Sequence, residues 1–166
     1  MDDLFETRKI RPMLIGADSE PFDSDECLFE LKLDGERCLA FLGDGRTELR
    51  NKRDVLLISK FPELRELHRQ VKKRCILDGE LMVSVDGKPD FAEVQRRSLM
   101  SNAFKIQLAS EKAPASFVAF DILYYNGETL MGKPLSQRKA LLEKYVTENE
   151  RLADRKSTRL NSSHRL

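Results

Sequence analysis

The chain has 166 residues, 40% of them hydrophobic and 34% charged, with a formal net charge of +1. That length suits one soluble globular domain, and no apolar run approaches the roughly 20 residues of a membrane span. Isolated Cys27, Cys38 and Cys75, with only His68 and His164, argue against a zinc site, a disulfide framework or a histidine triad.

In chain order, the N-terminal "MDDLFETRKI" lacks the apolar core of a signal peptide, so a cytoplasmic protein is expected. The polar, Pro-containing "ADSEPFDSDE" (17–26) reads as a loop. "CLFELKL" (27–33) alternates, with Phe29, Leu31 and Leu33 facing one way and Glu30, Lys32 and Asp34 the other, which predicts a strand. "ERCLAFL" (36–42) predicts a second strand, joined through "GDG" (43–45) to "RTELRN" as a hairpin. "FPELRELHRQVKK" (61–73) places Phe61, Leu64, Leu67, His68 and Val71 at helical spacing. "CILDGELMVSV" (75–85) is a long strand ended by the turn "DGK", and "FAEVQRRSL" is a short helix. "ASFVAFDILYY" (115–125) is an apolar strand ended by "NG". "PLSQRKALLEKYV" (134–146) is an amphipathic helix with Ser136 as its candidate N-cap. Helices fall between hairpins and not after every strand, so the expected class is α+β, with antiparallel sheets and flanking helices.

Four Asp-Gly pairs punctuate the chain, at 34–35, 44–45, 78–79 and 86–87. Those at 44 and 86 lie between strand-like runs and read as hairpin turns. The other two differ in their neighbours. "KLDGER" sets Lys32 before its pair and Arg37 after it, and "LDGELMV" puts Asp78 and Glu80 on one strand face with Leu77, Leu81 and Val83 on the other. By pattern alone the second is an ordinary half-buried strand.

"KLDGER" resembles the K-x-D-G-x-R signature of the covalent nucleotidyltransferases, which include ATP-dependent DNA ligases, some RNA ligases and mRNA capping enzymes. "LDGELMV" resembles the D-G-E motif of that superfamily, and "FVAFDILYYNG" its following aromatic-Asp strand. "RPMLIG" (11–16) resembles the Pro-Met-Leu leader of bacterial ATP-dependent DNA ligases, and "LRNKRDVLLISKFPEL" their S-R-N…F-P segment. Order and spacing agree over residues 8–153, which points to the adenylation domain of a bacterial-type ATP-dependent DNA ligase.

The resemblance implies a reaction and a set of roles. The Lys32 amine attacks the α-phosphate of ATP, leaving a lysyl-AMP and releasing pyrophosphate. AMP then passes to the 5′-phosphate of nicked double-stranded DNA, and the 3′-hydroxyl expels it. The attack needs a neutral amine, whereas a free lysine has a pKa of roughly 10.4, so desolvation and nearby positive charge must act on it. Glu30 matches the acidic residue that accepts from the adenine amine, Arg37 the residue at the ribose and sugar-phosphate end, and Phe120 the aromatic that stacks on adenine. By pattern alone Phe120 would be core. Glu80 matches the carboxylate near ribose and the catalytic Mg²⁺, a hard cation that suits an oxygen ligand. Lys52 falls where an arginine is usual, with Arg53 as the substitute. The basic runs "RNKR" (50–53), "KKR" (72–74) and "RR" (96–97) are either solvated faces or contacts to a DNA backbone. Roles in DNA repair, recombination and replication, and a monomeric state, come with the family. The alternatives are an RNA ligase or capping-type nucleotidyltransferase, and a non-catalytic nucleotide- or DNA-binding module.

From Asp154 the composition breaks, and "DRKSTRLNSSH" resembles one reading frame of a common sequencing-library adapter. Residues 154–166 are therefore expected to be a non-native, disordered tail, with residues 1–153 forming a partial adenylation domain. The tail holds four basic residues and one acidic, so setting it aside takes the net charge from +1 to −2. The E-G-x-V and K-x-K segments that the family carries later in this domain do not occur after Asp121. The expectation is an incomplete domain that does not ligate by itself.

Overall fold

The computed structural model describes residues 2–155. A short helix α1 (Leu4–Thr7) is capped by Asp3, whose carboxylate accepts from the backbone N–H groups of Phe5 and Glu6. Strands β1 (Glu36–Gly43) and β2 (Arg46–Asn51) form a hairpin. Then come β3 (Cys75–Val85), the two-residue β4 (Lys88–Pro89), and helices α2 (Phe91–Ser98) and α3 (Ala103–Lys112). The chain continues through β5 (Ala115–Tyr125), β6 (Glu128–Thr129), helix α4 (Leu135–Tyr145) and β7 (Leu152–Asp154). The sheet order is β2-β1-β3-β5-β6, with β4 on β3 and β7 on β5. Every pairing is antiparallel except β5 with β7, in keeping with the α+β class.

The hairpin turns follow from their residues. Asp44-Gly45, Asp86-Gly87 and Asn126-Gly127 all have positive φ, the conformation that a two-residue turn between twisted strands requires. Gly79 serves another purpose. Inside β3, a Cβ there would lie 2.4 Å from the Val118 carbonyl oxygen and 2.6 Å from the Phe117 ring. Its missing side chain lets β3 and β5 approach closely over the core.

One sheet face packs the main core, where Cys38, Ala40, Leu77, Leu81, Phe117 and Ile122 are fully buried. Burying a side chain such as Phe117 contributes about 1.5–3 kcal/mol. On the opposite face a smaller cluster of Leu39, Phe41, Ile76, Leu123 and Tyr124 is covered by Phe5 and Ile10. That cover reaches only half of the face. The other half carries Arg37, Asp78, Glu80 and Phe120.

Three expectations are corrected. Residues 27–33 form no strand, and only Phe29 carries an isolated bridge. Both edges of β1 are already taken, by β2 and β3, so the segment has no ladder to join there, and Leu31 is 81% exposed. Residues 61–73 form no α-helix. Three 3₁₀ turns occupy Ile58–Lys60, Pro62–Leu64 and Leu67–Gln70. Ile58, Phe61, Leu64 and Leu67 recur every three residues, the period of a 3₁₀ helix, and Phe61, Leu64 and Leu67 are buried. Ser136 is not the cap of α4. The helix already begins at Leu135, and Pro134 holds the cap position in an extended conformation (φ −55°, ψ 146°) with no side-chain capping bond.

Arg97, expected on a solvated face or at DNA, is fully buried. Its guanidinium pairs with both oxygens of Glu63, donates to the carbonyls of Lys60 (3.0 Å) and Ala113 (3.2 Å), and lies 4.5 Å above the Phe61 ring. It ties α2 to the 3₁₀ segment and to the entry of β5, where Glu63 also accepts from the Ala115 N–H at 2.8 Å. Other expected surface cations are also paired: Arg50 with Glu48 and Asp54, Arg74 with Glu6 and Asp44, and Arg96 with Glu93. Among the described residues no helix is long and apolar enough to cross a membrane.

Candidate active site

The uncovered half of the sheet face is built by alternation and by one irregularity. On β1 and β3, side chains of Arg37, Asp78 and Glu80 share a face because they are two residues apart or directly opposite: Arg37 pairs with Glu80 in register. On β5 the register slips. Gly79 faces Ala119 and Asp78 faces Asp121, so Phe120 is an extra residue without a partner. Such a bulge re-aims its side chain. Here the Phe120 ring joins the polar row, with the Arg37 guanidinium 4.6 Å from its centroid. The bulge separates Phe120 from the core role that its apolar neighbours suggest.

Arg37 forms a two-pronged ion pair with Asp78, at 2.6 and 2.7 Å, and donates to the Met13 carbonyl at 3.1 Å. Asp78 is buried. Burial pushes its carboxyl up from the ordinary value, the Arg37 guanidinium pulls it down, and neighbouring Asp121 adds a like charge. The hydrogen bond to Asp78 in turn raises Arg37. The net direction for Asp78 is upward, with burial outweighing the two hydrogen bonds from Arg37 that favour the charged form. Asp121 is held by Arg138 of α4 at 2.8 and 2.9 Å. An Arg-Asp-Asp-Arg row therefore crosses from β1 to α4 through β3 and β5.

Glu80 has no such partner. Its Oε2 is buried and accepts no hydrogen bond from the described residues. Burial raises its carboxyl, opposed by the charges of Arg37, Arg155 and Lys32. An unsatisfied buried carboxylate oxygen is costly and calls for a ligand. Among the described residues no group of three or more His, Cys, Asp or Glu stands ready to hold a metal. Glu80 by itself fits Mg²⁺ bound jointly by one carboxylate and a phosphate.

Lys32 lies on the irregular segment that passes this face. It is exposed, so the desolvation expected from a strand position is absent. Its charge still reaches Glu80. Gly35 lets the segment press against β3: a Cβ there would lie 2.3 Å from the Leu81 carbonyl oxygen. Glu30, on the same segment, is gripped by Lys139 of α4 at one carboxylate oxygen and by Arg155 at the other. Arg155 also lies over Phe120, 4.4 Å from its centroid. Glu30, Arg37, Glu80, Phe120 and Lys32 are thus brought to one place. Lys52 is not: it and Arg53 are exposed beyond the end of β2 and make no ion pair with these residues among those described. The pattern missed Lys139, Arg138 and Arg155, whose partners lie far away in sequence. A groove of about 370 Å³ lined by Tyr125, Leu130 and Tyr145 contains none of the candidate residues.

Asp154 and Arg155 belong to the segment expected to be disordered, yet both are placed. β7 extends through Asp154, paired with Ala119, and the Arg155 N–H donates to the Ala119 carbonyl at 2.7 Å. The free edge of β5 gives these residues a ladder to join. The remainder of that segment lies outside the described residues.

The sheet carries carboxylates, guanidiniums and a stranded aromatic on one half-face, in an α+β fold shared with solved DNA ligase domains. The chain belongs to the ATP dependent DNA ligase domain family, whose model matches residues 14–165. It is 31% identical over 139 residues to DNA ligase C of Mycobacterium tuberculosis, covering 83% of this chain and 38% of that protein. It is 33% identical over 136 residues to the SPbeta prophage-derived DNA ligase-like protein LigB of Bacillus subtilis, covering 80% of this chain and 46% of that one. Among solved structures, mycobacterial DNA ligase D complexed with ATP and MES superposes with a TM-score of 0.62 at 27% identity, covering 78% of this chain and 40% of that one. The chain spans less than half the length of these relatives.

Proposed function

We propose that the whole protein is an ATP-dependent DNA ligase and that this chain carries the nucleophile half of its adenylation site. The observation that carries the reading is the convergence of Glu30, Arg37, Glu80 and Phe120 at one half of a sheet face beside Lys32. The membership of the chain in the ATP dependent DNA ligase domain family and its likeness to a ligase solved with ATP support it.

In this reading Phe120 stacks on adenine, Glu30 accepts from the base amine, and Arg37 holds the sugar-phosphate end. Lys32 Nζ forms a bond to the α-phosphorus as the bond to pyrophosphate breaks. The attack needs a neutral amine, and the bound nucleotide excludes the water that now surrounds Lys32. Glu80 would hold Mg²⁺, which would supply neutralisation of phosphate charge. The AMP then passes to the 5′-phosphate of a DNA nick, and the 3′-hydroxyl displaces it. The protein acts as a monomer in the cytoplasm. Without the E-G-x-V and K-x-K segments the 166-residue chain does not complete this sequence, because part of the electrostatic set for the phosphates is missing.

Lys32→Ala in the complete gene product tests the assignment. Nick sealing falls by at least about a thousandfold, as expected for loss of a covalent nucleophile. Unchanged sealing overturns Lys32 as the nucleophile, and no sealing by the unsubstituted complete gene product returns the protein to the class of non-covalent binding modules. Sealing of nicked RNA in preference to DNA, or use of GTP, moves it to the RNA ligases or capping enzymes.

A further inference from the structure

The Arg155 guanidinium makes three contacts at once. One terminal nitrogen donates to Glu30 Oε2, the other donates to the Leu31 carbonyl oxygen at 3.1 Å, and the plane lies 4.4 Å from the Phe120 centroid. A flat, delocalised group with in-plane donors facing a carboxylate, and its face on an aromatic ring, also describes an amino-substituted purine. The backbone fixes this placement: β7 runs parallel to β5 with Ala119 opposite Asp154, which delivers Arg155 beside Phe120. The fit is incomplete, since the Nε of Arg155 is buried with no hydrogen-bond partner among the described residues. Lys139 takes the other oxygen of Glu30, with its side chain only 12% exposed.

We propose that Arg155 occupies the base position of the nucleotide site, so that nucleotide binds this chain only by displacing it, while Lys139 stays and holds Glu30 for the incoming amine. This rests on the reading of Glu30 and Phe120 as the base-binding pair. Arg155 and a base cannot share the Phe120 face and Glu30 Oε2. Apparent affinity is therefore reduced by the fraction of molecules whose site is open. Lys139 is a positioning residue: the segment around Glu30 has no strand ladder, and once Arg155 leaves, the pair with Lys139 is what anchors the carboxylate. Arg155 stands two residues beyond the boundary expected at Ala153, and the block is a property of the chain that carries it.

Calorimetric titration of the 166-residue chain with ATP, and with inorganic triphosphate as a probe without a base, tests this. Arg155→Ala binds ATP about tenfold tighter than the parent and triphosphate no tighter. Arg155→Lys keeps the charge at the end of β7 but not the planar fork, and it too tightens ATP binding. Lys139→Met in the Arg155→Ala background weakens ATP binding severalfold and leaves triphosphate unaffected. ATP affinity that is unchanged or lower in both Arg155 variants overturns the block. Phe120→Ala in the Arg155→Ala background separates the two ideas. If it weakens ATP binding while the Arg155 variants do not tighten it, the block alone fails. If it has no effect, or if no variant binds ATP, the base-site reading fails and the block with it.

Discussion

Arg37 and Glu80 face each other across β1 and β3 but stand in opposite states. Arg37 is satisfied by Asp78, and Glu80 is left with a bare buried oxygen. Removing the guanidinium with Arg37→Met strands the Asp78 carboxylate, whose side chain is 5% exposed. Urea unfolding should show a loss of about 3–5 kcal/mol. Glu80→Gln should do the reverse. Burial raises the Glu80 carboxyl, so the folded state holds its proton to higher pH than the unfolded state does. Below the ordinary glutamate value both states are protonated and the substitution changes little. As pH rises into the neutral range the folded parent must carry an uncompensated charge, and the variant gains on it. Unfolding midpoints measured from acid to neutral pH should therefore diverge, with the variant above, and ATP binding should fall in the same variant. Of these residues, Arg37, Glu80 and Phe120 were legible in sequence because short motifs carry them. Asp78 was visible as a strand carboxylate but not as the partner of Arg37, since a contact across 41 residues leaves no local signal.

At the scale of elements, the strands with a full set of ladder partners were legible nearly to the residue. β3 and β5 run over the spans that their apolar and β-branched content predicts. The failures have physical causes. The alternating run at 27–33 lacked an edge to pair with, and the run at 58–67 has a period of three, which a helical reading rounds up to 3.6. The bulge at Phe120 was invisible because its residues are good strand formers on either side. The close approach behind that bulge makes Gly79 critical. Gly79→Ala drives a methyl group into the Val118 carbonyl and the Phe117 ring, and should destabilise by about 1–3 kcal/mol. It should also weaken nucleotide binding by shifting Phe120 away from Arg37. Gly45→Ala is a matched control: its positive φ makes it strained, but it has open space and lies at the far hairpin, so stability falls while binding holds.

At the scale of the molecule, the fold divides labour between the two faces of one sheet. One face carries the main core. The other is apolar where Phe5 and Ile10 cover it and charged where Arg155 and the segment bearing Lys32 pass over it. On the proposed function this segment presents the point of AMP attachment. Incubation of the complete gene product with ATP labelled at the α-phosphate, followed by peptide mapping, tests it most directly. One labelled residue is expected, Lys32, whose label is released by pyrophosphate and absent in Lys32→Ala, with little uptake by the 166-residue chain. Label on any other residue, or label retained by Lys32→Ala, contradicts it.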